Sequence, residues 1–231
     1  MILKTNLHFH SKEDPVDGLH YSIYQAVDYA EKLNFGALAI TSHRTFSYKK
    51  EYGDYARGKN ILLIPGIEAN IEGKHIVILN CDKDSERIKS FDELKNYKKM
   101  NTQIFVLVPH PFVSSAKSLG GELLEKHIDL FDAIELSIFS NKIFDFNKKA
   151  EEAAEKYKKP LIATSDTHSL GFLNRGYTLV DAEERTIDSL FDSIKKYKMK
   201  NEIINMPLTM MARFHLKGLL VQLKNPAAKE A

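Results

Sequence analysis

Short apolar runs of strand length alternate along the chain with longer stretches in which apolar residues recur at helical spacing. This alternation is typical of βαβ units that build a parallel sheet in an α/β protein. Helical spacing predicts helices over Tyr21–Leu33, Asp145–Tyr157 and Thr186–Tyr197. The apolar runs predict seven strands and one more near Tyr177–Val180; the seven are Ile2–His8, Ala37–Thr41, Ile61–Ile67, His75–Leu79, Ile104–Val108, Ala133–Leu136 and Leu161–Thr164.

One pair of predicted strands breaks the alternation. His75–Leu79 follows Glu72-Gly73 after a short gap, so the third and fourth strands are predicted to pair as a hairpin. We therefore expect a distorted β/α barrel and not a symmetric eightfold one. No repeat or linker divides residues 1–231, which predicts one domain, with 207–231 as a C-terminal helix and tail. The apolar stretch Met210–Leu223 is expected to pack on the barrel or on a partner subunit in a homo-oligomer, with a membrane-surface helix as the alternative.

Composition narrows the function classes. Of the 231 residues, 33 are Lys or Arg and 31 are Asp or Glu, so the net charge of +2 gives no whole-chain footprint for long nucleic acids. The single cysteine, Cys81, excludes an internal disulfide and thiolate-rich metal sites. With no apolar stretch long enough to span a membrane, this predicts a cytoplasmic protein. The chain has nine histidines, so any metal site is expected to use nitrogen and oxygen ligands.

Histidines and acids gather where the predicted strands end. In a parallel α/β barrel, functional groups lie at the C-terminal ends of the strands. Five strands deliver such groups to that rim: His8, His10, His43, Glu68, His110, Asp166 and His168. His75 begins its apolar run, but an antiparallel strand after Gly73 would return it to the same rim.

This set of side chains has the chemistry of a metal site. A single histidine beside an apolar run is more often structural, but His8 and His10 point to the same side of one strand, a geometry that metals use. Neutral imidazole and carboxylate suit zinc, iron or manganese. A bridging carboxylate places two cations about 3.5–4 Å apart, as in two-metal phosphoesterases. Spacing and ligand type therefore predict a multinuclear metallohydrolase.

The motifs that carry these residues resemble those of the PHP (polymerase and histidinol phosphatase) superfamily. They occur in the family's order: Leu7-His8-Phe9-His10-Ser11, Thr41-Ser42-His43, Gly66-Ile67-Glu68, Pro109-His110-Pro111 and Ser165-Asp166-Thr167-His168. The resemblance implies a stand-alone PHP domain, with a distorted seven-stranded TIM-like barrel and two or three divalent metal ions (Zn, Mn or Fe) at the strand C-termini.

The resemblance also implies which residues hold each metal. His8, His10, Glu68 and Asp166 would hold the first; Glu68, His75 and His110 the second; Asp17, His43 and His168 the third. In the loop after His10, Asp14 is the alternative to Asp17. The family commonly has Thr-Asp-His where this chain has Thr41-Ser42-His43, which bears on the third metal. Three other histidines match no family ligand: His20, His127 and His215.

The activity that the resemblance implies is hydrolysis of a small phosphate ester, such as a nucleotide, by attack of a metal-bridging hydroxide. The catalytic residues would be His43, Glu68, Asp166 and His168. Arg44 and Arg175 follow ligand motifs and are the candidates for phosphate binding. The alternatives are a nuclease acting on nucleic acid or short oligonucleotides and, from another class, a metal-free RNA-binding barrel. No membrane partner is expected.

Overall fold

The structure is a computed structural model, and it describes residues 1–141, 143 and 145–211. Six α-helices lie in this part: α1 Ile23–Lys32, α2 Lys50–Gly58, α3 Phe91–Met100, α4 Gly120–Lys126, α5 Phe146–Tyr157 and α6 Ile187–Lys195. Its ten strands are β1 Ile2–Phe9, β2 Ala37–Ile40, β3 Leu62–Ile64, β4 Gly66–Ile71, β5 Lys74–Leu79, β6 Phe105–Val108, β7 Ala133–Ser137, β8 Leu161–Thr164, β9 Gly176–Asp181 and β10 Met199–Ile203.

The strands form two five-stranded sheets. Their orders are β10-β9-β1-β2-β3 and β4-β5-β6-β7-β8. Pairing is parallel along β1-β2-β3 and along β6-β7-β8, and antiparallel between β4 and β5, β5 and β6, β1 and β9, and β9 and β10. The α/β prediction is confirmed, but within the described residues the ladders do not close into one continuous seven-stranded barrel.

The division between the sheets falls inside a segment predicted as one strand. Ile61–Ile67 is split at Pro65 into β3, which pairs with β2, and β4, which pairs with β5. Proline has no N–H to donate to a ladder, so it favours such a break. A Cβ on Gly66 would lie 2.9 Å from the Ile40 carbonyl oxygen, so the kinked chain passes close to β2.

The predicted hairpin is present between β4 and β5. Its turn consists of Glu72 and Gly73, which have φ angles of 50° and 82°, the left-handed conformation that two-residue hairpin turns require. The register pairs Asn70 with His75 and Glu68 with Val77. Because side-chain direction alternates along a strand, Glu68 and His75 share one face of the hairpin.

Both faces of the central strands are buried, which accounts for their continuous apolar character. In β6, Phe105 and Leu107 pack in one apolar cluster while Val106 and Val108 pack in another. The helices cover the outer faces; α1 begins with a capping box between Ser22 and Gln25. None of the helices in the described residues has the length and apolar character to cross a membrane.

The C-terminal prediction falls largely beyond this part of the chain. Residues 208–211 are helical, and Met206 and Met211 are buried in an apolar cluster with Ile138 and Phe139. The rest of the predicted helix Met210–Leu223, the tail and His215 lie outside the described residues, and so does the surface proposed for a homo-oligomer.

Candidate metal centre

All nine residues predicted as metal ligands lie together at one rim of the molecule. Each has a nitrogen or oxygen atom within 3.6 Å of another member of the set. Seven of them are buried, and Asp17 and His168 are half-buried. His75 reaches the rim by the predicted route, at the start of the antiparallel strand β5.

Glu68 occupies the middle of the group. Its Oε2 atom lies 3.4 Å from the Nε2 atoms of both His8 and His10, and 3.0 Å from Nε2 of His43. Its Oε1 atom faces the opposite side, 2.8 Å from His75 Nδ1 and 3.4 Å from His110 Nε2. The two oxygens of one carboxylate thus face different sets of imidazoles, an arrangement suited to a bridging ligand.

Three buried atoms on the Oε2 side of Glu68 find no hydrogen-bond partner among the described residues: Nε2 of His8, Nε2 of His10 and Oδ1 of Asp166. Asp166 Oδ1 lies 3.4 Å from the first nitrogen and 3.3 Å from the second. Buried polar atoms without partners are costly and rare. A cation bound by all three would remove that cost, so these residues fit a divalent metal ion.

The two loop aspartates differ in what they contact. Asp14 Oδ2 lies 2.9 Å from His10 Nδ1 and 2.8 Å from His43 Nδ1, and it accepts the backbone N–H of His43 at 2.8 Å. Asp17 Oδ2 is buried and has no hydrogen-bond partner in the described part of the chain, although it lies 3.2 Å from His168 Nε2 and 3.4 Å from His43 Nδ1. Asp14 is therefore saturated, whereas Asp17 has an oxygen open for a ligand. Ser42, the residue before His43, has no carboxylate. Asp14 provides a carboxylate contact to His43 from the loop instead.

When no metal is bound, the electrostatic environment favours the charged forms of both the acids and the histidines at the rim, as Glu68 and His168 show. Burial raises the pKa of Glu68, but the nearby imidazoles of His75, His8 and His43 outweigh burial and hold it well below its usual range. Burial lowers the pKa of His168, but Asp17 and Asp166 outweigh it and raise the value to about 9. Protons would therefore compete with cations for this site.

Glu135 is the rim residue that sequence reasoning missed. It lies fully buried on β7, with Oε2 2.8 Å from His8 Nδ1 and Oε1 accepting the backbone N–H of His110 at 3.1 Å. The signal was an ionisable residue inside the apolar run Ala133–Leu136, where a charge without a partner is strongly disfavoured.

Two of the remaining predicted residues are arginines. Arg44 has a φ of 56°, and its backbone N–H donates to the Glu68 carbonyl at 2.9 Å, which fixes the chain beside the rim. The guanidinium of Arg175 lies 3.5 Å from the Asn205 carbonyl oxygen. Among the other histidines, His127 stacks on Phe91 with ring centroids 4.0 Å apart, which indicates a structural role.

A cleft of about 460 Å³ adjoins His110, with Phe112, Ser118 and Lys149 in its wall. Ser118 Oγ lies 3.5 Å from His110 Nδ1. The backbone N–H of His75 donates to the Lys117 carbonyl at 2.9 Å, so the same loop is tied to two of the rim histidines.

Comparison with known proteins gives one family match and several similar folds. Residues 144–199 match a family model described as PHP-associated. A two-domain protein from Bacteroides vulgatus, described as containing a predicted PHP-like metal-dependent phosphoesterase, is 19% identical with a TM-score of 0.69; the match covers 88% of this chain and 65% of that one. This chain therefore spans about two thirds of the Bacteroides protein.

Two further structures share the fold. PsfC from Pseudomonas syringae is 12% identical with a TM-score of 0.63, and the match covers 97% of this chain and 99% of that one. A lesion-specific endonuclease from Pyrococcus furiosus is 13% identical with a TM-score of 0.61, covering 88% and 58%. No curated protein sequence matches this chain.

Proposed function

We propose that this chain is a member of the PHP superfamily and a metal-dependent phosphoesterase that hydrolyses a small phosphate ester. The family match in residues 144–199 and the shared fold support the resemblance inferred from the ordered motifs. The observation that carries the activity is the set of unpartnered buried atoms of His8, His10 and Asp166 beside the Glu68 carboxylate.

We also propose that the two sheets are parts of one distorted seven-stranded TIM-like barrel. Two isolated parallel bridges support this view: Phe9 with Thr167 joins the end of β1 to the end of β8, and His43 with Glu68 joins the end of β2 to β4. Following the ladders and these bridges gives the ring β1-β2-β4-β5-β6-β7-β8. Both bridges lie among the predicted ligands, so closure and site would form together.

The proposed ligands divide into three groups. His8, His10, Glu68 and Asp166 would hold one cation, Glu68, His75 and His110 a second, and Asp17, His43 and His168 a third. The open oxygen of Asp17 supports its choice over Asp14. Bound Zn²⁺, Mn²⁺ or Fe²⁺ would supply Lewis acidity and lower the pKa of water.

The protein's own groups supply charge and protons. Glu68 and Asp166 have pKa values held well below the usual range, chiefly by imidazoles that outweigh burial, so both stay ionised at neutral pH. His168 is the most exposed of the rim histidines that form ion pairs, with 17% of its side chain accessible. Where the third group holds no metal, His168 or His43 would donate the proton to the leaving alkoxide.

The cleft beside His110 supports a small substrate. Its volume of about 460 Å³ falls within the range of small-molecule sites. The loop that lines it contacts His75 and His110, so the alcohol part of a phosphate ester bound there would lie next to the second ligand group. Lys149 at the wall would favour an anionic or polar leaving group such as a nucleoside.

The activity can be tested by elemental analysis and phosphate release. We expect the reconstituted protein to hold two or three divalent ions and to release phosphate from a mononucleotide, a sugar phosphate or histidinol phosphate. Asp166→Ala and Glu68→Ala should abolish both metal loading and turnover while the protein remains folded by circular dichroism. Cleavage of a short oligonucleotide without phosphate release would favour the nuclease, and absence of metal after reconstitution would favour the RNA-binding alternative.

A further inference from the structure

We infer that Glu135 is a positioning residue that holds His8 with its proton on Nδ1 and so directs His8 Nε2 to the metal. The inference rests on the proposed function, because it assumes that His8 is a metal ligand. Glu135 is not itself one of the proposed metal ligands. Its role would be to fix the atom through which a neighbour binds.

Both oxygens of Glu135 are engaged by nitrogen atoms of two rim histidines. Oε2 lies 2.8 Å from His8 Nδ1, and Oε1 accepts the backbone N–H of His110 at 3.1 Å. The side chain is completely buried, and its two partners belong to the first and second proposed ligand groups. A single carboxylate therefore sets the orientation of one group relative to the other.

The contact with His8 determines which ring nitrogen carries a proton. An ionised carboxylate can only accept, so Nδ1 of His8 must donate to it. When the imidazole is neutral, the proton is then absent from Nε2, the atom that lies 3.4 Å from both Glu68 Oε2 and Asp166 Oδ1. Within residues 1–141, 143 and 145–211, Nε2 of His8 has no hydrogen-bond partner, as expected for an atom that binds a metal.

Glu135→Gln is a sharp test because it changes one atom and reverses one hydrogen bond. The backbone N–H of His110 can only donate, so it will keep the amide oxygen of the variant as its acceptor. The amide NH2 then faces His8 Nδ1, which must accept. This places the His8 proton on Nε2 and blocks that atom as a ligand.

The experiment measures zinc affinity by competition with a chromogenic chelator, and zinc content by elemental analysis. We expect Glu135→Gln to bind zinc about 10–100-fold more weakly than the unmodified protein. Glu125→Gln, the same change at an exposed position on α4, is the matched control and should leave affinity unchanged. Because Glu135 acts through His8, Glu135→Gln should add little further loss when it is combined with His8→Ala.

A spectroscopic measurement separates positioning from general damage. In the zinc-loaded protein labelled with ¹⁵N-histidine, His8 should show a protonated Nδ1 and a metal-bound Nε2, and Glu135→Gln should remove that pattern for His8 while other zinc-bound histidines keep theirs. If the amide variant does not fold, Glu135→Asp, which withdraws the carboxylate by one methylene, should give a smaller loss of affinity.

Two results would overturn the inference and leave the proposed function standing. One is an unchanged zinc affinity in both Glu135 variants. The other is a loss of zinc affinity on Glu135→Gln that is equally large in the unmodified protein and in the His8→Ala variant. If the unmodified protein binds no zinc, manganese or iron, the proposed function fails together with the inference. Phosphate release enters none of these measurements, so a wrong substrate leaves the test intact.

Discussion

Replacing Asp14 with asparagine tests the different roles assigned to the two loop aspartates. Asp14 Oδ2 contacts His10 Nδ1, His43 Nδ1 and the His43 backbone N–H, while Oδ1 accepts the Val16 N–H at 2.9 Å. Asparagine has one side-chain oxygen, so Asp14→Asn leaves one acceptor atom where the carboxylate has two. Whichever way the amide lies, its NH2 faces a backbone N–H that can only donate, either that of Val16 or that of His43.

The expected cost has two parts. One buried N–H without an acceptor costs about 1–3 kcal/mol, and loss of the negative charge weakens the two imidazole contacts by about 1 kcal/mol each. We therefore expect the free energy of unfolding of the metal-free protein to fall by about 3–5 kcal/mol, similar to breaking a buried ion pair.

The full cost applies at neutral pH. Burial raises the pKa of Asp14, but hydrogen bonds from His10 and His43 outweigh it and lower the pKa overall. A carboxylate with a lowered pKa contributes its stabilisation above the unfolded value near 4 and loses it as the pH falls through the folded value. The effect of Asp14→Asn on stability should thus be largest at neutral pH and fade in strong acid.

Urea unfolding with a chelator present, followed by circular dichroism at pH 7, measures this cost. Asp17→Asn is the matched comparison. Asp17 Oδ2 accepts no hydrogen bond from the residues that the structure describes, and 15% of the side chain is exposed, so we expect a smaller loss of stability together with a loss of bound metal. An Asp14→Asn protein within about 1 kcal/mol of the unmodified one would refute the reasoning. So would a larger destabilisation by Asp17→Asn.

Three further predictions concern the rim, the cleft and the buried cysteine. Nearby carboxylates raise the pKa of His168 to about 9 against the effect of burial, so zinc affinity should increase from pH 6.5 towards 9. Calorimetry in buffers of different ionisation enthalpy should detect the release of protons when zinc binds. A zinc affinity that does not change with pH would contradict this prediction. Lys149→Ala should raise KM for a nucleotide several-fold and change kcat little, whereas Lys148→Ala, one residue away on α5, should match the unmodified enzyme in steady-state assays. Burial raises the pKa of the Cys81 thiol to about 12, so the folded protein should resist an aromatic disulfide reagent at pH 8 and react on unfolding. Rapid reaction of the folded protein would show that the thiol is accessible.

Strands and rim residues could be predicted because each leaves a local mark in the sequence. Strands buried on both faces need continuous apolar runs, and a polar residue at the C-terminal end of such a run in a parallel strand is expected at the rim. Glu68 reaches the rim differently, from inside β4. The return of His75 was predictable for a related reason: Gly73 signals a tight turn, and a tight turn forces the next strand to run antiparallel.

Other elements depend on contacts that no local pattern encodes. The helices α2, α3 and α4 and the strand β10 were not predicted; α2, for example, places only Tyr52, Gly53 and Ala56 in the interior, too few for a clear period. The break at Pro65 follows from β3 and β4 pairing with different partners. Glu135 belongs to the rim only because β7 lies beside β6, whose end carries His110.

The two-residue turn at Glu72 and Gly73 and the loop that lines the cleft should differ in their tolerance of inserted residues. One added residue in this turn would shift the register of β5 and turn His75 to the opposite face of the hairpin. The loop that lines the cleft is tied to His75 through the Lys117 carbonyl, and its exposed tip at Ser114 to Ala116 carries no rim residue, so we expect it to lengthen without moving a rim side chain. Attempts to redirect substrate choice should therefore insert residues in this loop and leave the hairpin at its present length.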